Sequence, residues 1–194
     1  MKPKLTKLPT GQLILQNVRI AHPSLFEAKA FKGEGALRYS ATVLVPKEAT
    51  DVVDQLTAEI NKIAKERYKL AKMPSADSCF TDGDDKANEA YHGHWILAAY
   101  AYPSDSAERK GAPAVTGNPP KGQGFIQKGD SNEPYSGCYA NVLFDLYTPK
   151  NFRKVSCGLK VVQFVGNGPR IGASTDVTVM PELEEMEDGG EGFE

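Results

Sequence analysis

The chain has 194 residues, 40% of them hydrophobic and 25% charged, with a formal net charge of −2. That suffices for one domain with a real core and excludes wholesale disorder. No apolar run approaches the roughly 20 residues of a membrane helix, no apolar segment follows the basic N-terminus as in a secretory signal, and Cys79, Cys138 and Cys157 are too few and scattered for a disulfide framework. A cytoplasmic location is expected. The charge is unevenly spread. Residues 181–194 hold seven acids and no base, which leaves the first 180 residues at about +5.

Residues 1–11 read as a flexible basic arm, with Lys2, Lys4 and Lys7 among Pro3, Pro9 and Gly11. Residues 12–20 form a first strand rich in branched side chains. Pro23, Gly33 and Gly35 then mark 21–36 as a loop that displays Phe26, Lys29, Phe31 and Lys32. Residues 37–45 alternate cleanly as a second strand, with Ala41, Val43 and Val45 on one face and Arg38, Ser40 and Thr42 on the other.

A helix is expected over 50–72, capped by Thr50 and helped by Asp51 and Asp54 near its positive end. Val53, Leu56, Ile60, Ile63 and Arg67 define its inward stripe. The loop over 73–90 carries Asp82, Asp84, Asp85 and Glu89. Calcium-loop spacing is absent, since Lys86 falls at the fifth position and no glycine at the sixth, so a solvated turn is the better reading. His92 and His94 lack the further ligands that a zinc site needs. No metal and no cofactor are expected.

Residues 94–102 form a third strand ending in Tyr100 and Tyr102, followed by a long loop over 103–134 that carries Arg109, Lys110, Lys121 and Lys128. Residues 135–165 read as a hairpin turning at 148–151. Cys138, Ala140, Val142, Phe144 and Leu146 share its first apolar face; Val155, Cys157, Leu159, Val161 and Val165 share the second. The opposite face mixes tyrosines with lysines. Rings that stack on bases, beside ammonium groups that meet phosphates, suit an unpaired nucleic-acid strand. On that basis Phe31, Tyr102, Tyr139 and Tyr147 are the candidate stacking residues, and Lys29, Arg38, Lys154 and Lys160 the candidate phosphate contacts.

Five strands and one helix, without alternating βαβ units, predict a mainly β protein: an OB-fold-like five-stranded antiparallel barrel with one amphipathic helix after strand two. The segments LFEAKAF (25–31), RYSATVLVPK (38–47), EAYHGHWILAA (89–99), YSGCYANV (135–142) and SCGLKVVQFV (156–165) together resemble a bacteriophage single-stranded DNA-binding protein family whose fold is an OB-fold. The resemblance spans roughly residues 12–172. It implies a non-enzymatic protein that coats single-stranded DNA during replication, recombination or repair in an infected bacterial cell.

The expected organisation is an arm over 1–11, an OB-fold domain over 12–180 and a disordered acidic tail over 181–194. Such binders commonly end in an acidic segment with a hydrophobic residue near its tip, here Glu191, Phe193 and Glu194. The resemblance implies that this tail docks replication or recombination proteins and competes with DNA. Homo-oligomerisation is left open. Two rival readings remain: an interaction or virion module without DNA affinity, and a metal-dependent nuclease using Asp82, Asp84, Asp85 and Glu89.

Overall fold

The computed structural model describes residues 2–31, 33–103, 111–117 and 124–172. Its strands in chain order are β1 (Lys4–Lys7), β2 (Leu13–Phe31), β3 (Glu34–Pro46), β4 (Phe80–Asp82), β5 (His94–Ala101), β6 (Ala114–Thr116), β7 (Tyr139–Tyr147) and β8 (Ser156–Gly166), with one α-helix, α1 (Thr50–Tyr68), between β3 and β4.

Five of these strands close on themselves. β2 pairs with β3, β3 with β5, β5 with β8, β8 with β7, and β7 returns to β2. The β5–β8 contact is parallel, with Ala99 opposite Cys157 and Tyr100 opposite Gly158. The barrel is therefore mixed rather than wholly antiparallel, and its strand order is that of an OB-fold. The helix follows the second barrel strand, which is the third strand of the chain because β1 precedes it. β1 pairs with β2, β4 with β5, and β6 runs parallel to β8.

Several local expectations are corrected. The stretch expected as a basic arm contains β1, and Lys7 Nζ meets Glu59 of α1 at 2.7 Å. The loop expected over 21–36 is instead a long hairpin formed by the outer halves of β2 and β3. Pro23 is tolerated because the register shifts between Ala21 and Ser24, where a bulge removes the need for a ladder donor. Asn17 and His22 also take left-handed backbone angles in β2. Their backbone N–H groups are satisfied by Asn141 Oδ1 at 2.9 Å and Ser136 Oγ at 3.2 Å.

In α1 the residue before the first turn is Ala49, without a side-chain cap. The buried stripe is Val52, Leu56, Ile60 and Ala64, and it joins the barrel core; Leu56 and Ile60 are as expected, Val53 and Ile63 are only partly buried beside them, and Arg67 is exposed. The helix stops at Tyr68 because Lys69 turns left-handed and its N–H bonds back to Ala64 and Lys65. In β8 the inward set is Cys157, Leu159, Val162 and Phe164. The register shifts between Leu143 and Phe144, which pair with Val161 and Leu159, so Lys160 bulges out and the alternation inverts after it. Val161 and Val165 thus leave the core face on which plain alternation put them.

Candidate nucleic-acid interface

The outer faces of β3, β5, β8 and β7 form a continuous surface over the parallel β5–β8 seam. Tyr100 of β5 lies beside Gly158 of β8, which lies beside Asp145 of β7. Gly158 has no side chain to fill the centre. A Cβ there would collide with the Asp145 carboxylate, so the glycine leaves a trough into which that carboxylate leans. Two concavities, of about 590 and 660 Å3, meet at Tyr100, Tyr102 and Tyr147. Lys160 and Asp145 line the first; Arg38, Phe152, Arg153 and Lys154 line the second.

Three rings in this groove are unusually open for large apolar side chains. Tyr102 is 48% exposed, Tyr147 37% and Phe152 71%. A stack needs an uncovered ring face, so these three are available to it. Tyr100 is different: the Arg38 guanidinium covers it, with Cζ 4.1 Å from the ring centroid. That cation–π contact holds a planar charged group over the groove. Burial pushes the Tyr100 and Tyr147 phenols up from their ordinary values, so both remain neutral near neutrality.

The positive groups are held in different ways. Lys160 Nζ lies 3.0 Å from Asp145 Oδ2, and Arg153 is 3.5 Å from Asp77. Lys154 makes no ion pair among the described residues, and its backbone is pinned to the hydroxyl of Tyr68 at the end of α1. Lys29 is the exposed cross-strand partner of Arg38 on the β2–β3 hairpin.

Of the sequence-based candidates, Arg38, Tyr102, Tyr147, Lys154 and Lys160 come together, and Lys29 stands beside Arg38. Phe31 closes the hairpin opposite Glu34. Tyr139 lies elsewhere, opposite Arg19 and beside a separate depression with Lys2, Asn17 and His94. Tyr100, Phe152, Arg153, Gly158 and Asp145 were not singled out. Phe152 carried a usable signal, an aromatic ring between a proline-containing turn and two cations. Gly158 carried none, because its role depends on the strands either side. Glu191, Phe193 and Glu194 lie outside the described residues, as do Arg109, Lys110 and Lys121.

The carboxylate cluster has a structural occupant. Lys47 Nζ sits 2.6 Å from both Asp82 and Asp84, and its hydrogen bonds hold both carboxyls below their usual range. Asp84 also accepts from Gly93 N at 2.8 Å. His92 and His94 each bind a backbone carbonyl, those of Lys86 and His92 respectively. Among the described residues no group of three His, Cys, Asp or Glu side chains could hold a metal ion. No helix among them is long and apolar enough to cross a membrane.

The fold and groove define an OB-fold barrel with an aromatic, mostly cationic outer cleft. The chain belongs to the family of the Enterobacter phage Enc34 ssDNA-binding protein, matched over residues 11–189. It is 33% identical to protein p50 of Acyrthosiphon pisum secondary endosymbiont phage 1 over 165 residues, covering 79% of this chain and 83% of that protein. Its fold is similar to the single-stranded DNA-binding protein from bacteriophage Enc34 in complex with ssDNA, with a TM-score of 0.66 at 19% identity over 89% of this chain and 98% of the other. A second structure of the Enc34 protein gives 0.65 at the same identity, over 90% and 96%.

Proposed function

We propose that this phage-family protein coats single-stranded DNA along the groove over β3, β5, β8 and β7, with little sequence preference. The observation that carries the reading is the meeting of Tyr102, Tyr147 and Phe152, all open, with Arg38, Arg153, Lys154 and Lys160 in one cleft. The rings stack bases and the cations neutralise phosphates, two interactions that every nucleotide offers. The Enc34 protein whose fold this chain shares was crystallised with ssDNA, which supports the same use of the barrel. The coating serves replication, recombination or repair in the cytoplasm of the infected bacterium, without catalysis.

The acidic tail, with Glu191, Phe193 and Glu194 at its tip, recruits partner proteins and competes with DNA for the groove. Its seven acids, tethered to a basic body, favour that competition. The test is fluorescence anisotropy of labelled oligo-dT and a matched duplex, across a salt series. The full chain is compared with a truncation after Met180. Salt-sensitive oligo-dT binding that tightens on truncation is expected. Absence of oligo-dT binding by both proteins at low salt would leave the interaction-module reading in its place.

A further inference from the structure

Asp145 is out of place in a cleft for phosphates. It stands near the centre of the groove, its side chain is 37% exposed, and it leans over Gly158 between Tyr100 and Tyr147. A carboxylate there repels the backbone of any bound strand. Its one ionic partner among the described residues is Lys160, at 3.0 Å from Oδ2. A carboxylate offers about four acceptor sites, so this contact leaves capacity on both oxygens. The pair presents an acceptor edge beside a donor, next to rings on which bases would stack.

We propose that Asp145 and Lys160 give this groove a preference for guanine, superimposed on otherwise sequence-tolerant binding. The inference rests on the groove being the ssDNA site. Single-stranded bases expose their Watson–Crick edges to side chains. Guanine is the base whose edge carries two adjacent donors, N1–H and the N2 amine, and these match the two oxygens of Asp145. Its O6 acceptor lies next to them and faces Lys160. Thymine offers one donor between two acceptors, which a carboxylate repels. Cytosine and adenine offer a single amino group, so they form at most one of the two bonds. Gly158 is part of the device, because any larger residue would push the carboxylate off the trough floor.

The test uses the full chain and competition anisotropy at fixed salt. The competitors are oligo-dT strands carrying a short central run of guanine, hypoxanthine or adenine. Hypoxanthine keeps the purine stack, N1–H and O6 and lacks only the N2 amine, so it separates hydrogen bonding from stacking. The guanine strand is expected to compete about fivefold or more better than the hypoxanthine strand, the lower range for a bidentate base contact. Asp145→Asn should bring that ratio near one while oligo-dT binding tightens, since the charge that repels the strand is removed. Equal competition by guanine and hypoxanthine in the wild-type protein overturns the inference. So does an Asp145→Asn protein that keeps the ratio, which would make Asp145 a mere counter-charge for Lys160. Binding of oligo-dT without guanine preference defeats this inference alone; failure to bind any strand defeats the groove reading with it.

Discussion

The hydroxyl of Tyr68, the last residue of α1, donates to the carbonyl of Lys154 at 3.1 Å and accepts from the Lys154 N–H at 3.2 Å. The Phe152 carbonyl lies 3.3 Å from the same hydroxyl. One phenol therefore fixes the backbone of the β7–β8 connection that carries Phe152, Arg153 and Lys154. Tyr68→Phe removes the oxygen and keeps the ring. It is expected to cost about 1 kcal/mol of stability and to weaken oligo-dT binding, because the ordering of Phe152 and Lys154 would then have to be supplied on binding. Denaturant unfolding and anisotropy on the same preparation check both. Unchanged affinity would show that the connection is ordered by other means.

The open rings should separate from the closed one. Tyr147→Ala and Phe152→Ala are each expected to weaken oligo-dT binding by roughly 1–3 kcal/mol while leaving the salt slope unchanged. Tyr139→Ala should have little effect, since that ring lies beside Arg19 and outside the groove. A large loss at Tyr139 with none at Tyr147 would move the interface to the depression near Lys2 and His94.

The cations should register in the salt dependence. Lys154→Gln is expected to reduce the magnitude of the log–log salt slope by about 0.7, the value for one phosphate contact on a single strand. Lys160→Gln should change it less, because Asp145 already neutralises that ammonium in the free protein. Equal slopes for wild type and Lys154→Gln would remove Lys154 from the phosphate path.

The Lys47 cluster predicts a pH window for stability. Asp82 and Asp84 have folded pKa values held below 3.8 by Lys47, so their contribution is fully present above that value and disappears as pH falls through the folded values. Lys47 is raised above 10.5, chiefly by its hydrogen bonds to Asp82 and Asp84. Its share is therefore complete below 10.5 and is lost as pH rises through the folded value. Thermal unfolding of Lys47→Met should show a lower midpoint than wild type at neutral pH, and the difference should close in strong acid. A gap that stays constant into acid would mean that Lys47 acts through packing.

Thiol chemistry gives a further check on the core. Burial raises the Cys79 thiol to about 12 and pushes Cys138 and Cys157 up as well. All three are buried. Since the thiolate is the reactive form, a thiol reagent should titrate essentially nothing in the native protein near neutral pH and three groups after denaturation. Rapid native labelling of Cys157 would contradict the closure of β8 against β5.

Alternation alone identified most of the inward residues of β3 and β7. The side-chain period in a strand is a local property that a continuous backbone preserves. The helix was legible for the same reason: Leu56 and Ile60 lie in the core as expected, and only the flanks of the stripe differ, with Val52 and Ala64 buried more deeply than Val53 and Ile63. Charge arithmetic likewise needs no fold, and the basic body with its acidic end was visible in the composition.

What the tertiary structure decided is which outward residues meet. Tyr139 and Tyr147 share a strand and a parity, yet eight residues of extended chain separate them by about 27 Å, and only Tyr147 reaches the groove. Arg38 and Lys160 are far apart in sequence, and pairing of β3 with β5 and of β5 with β8 brings them to one surface. The bulge at Lys160 reverses the facing of the rest of β8, an event with no periodic signature before it occurs. The trough at Gly158 exists because strands from distant parts of the chain flank a residue without a side chain. Local periodicity could show which side of an unbulged strand was wet; only closure of the barrel could show which wet sides form one site.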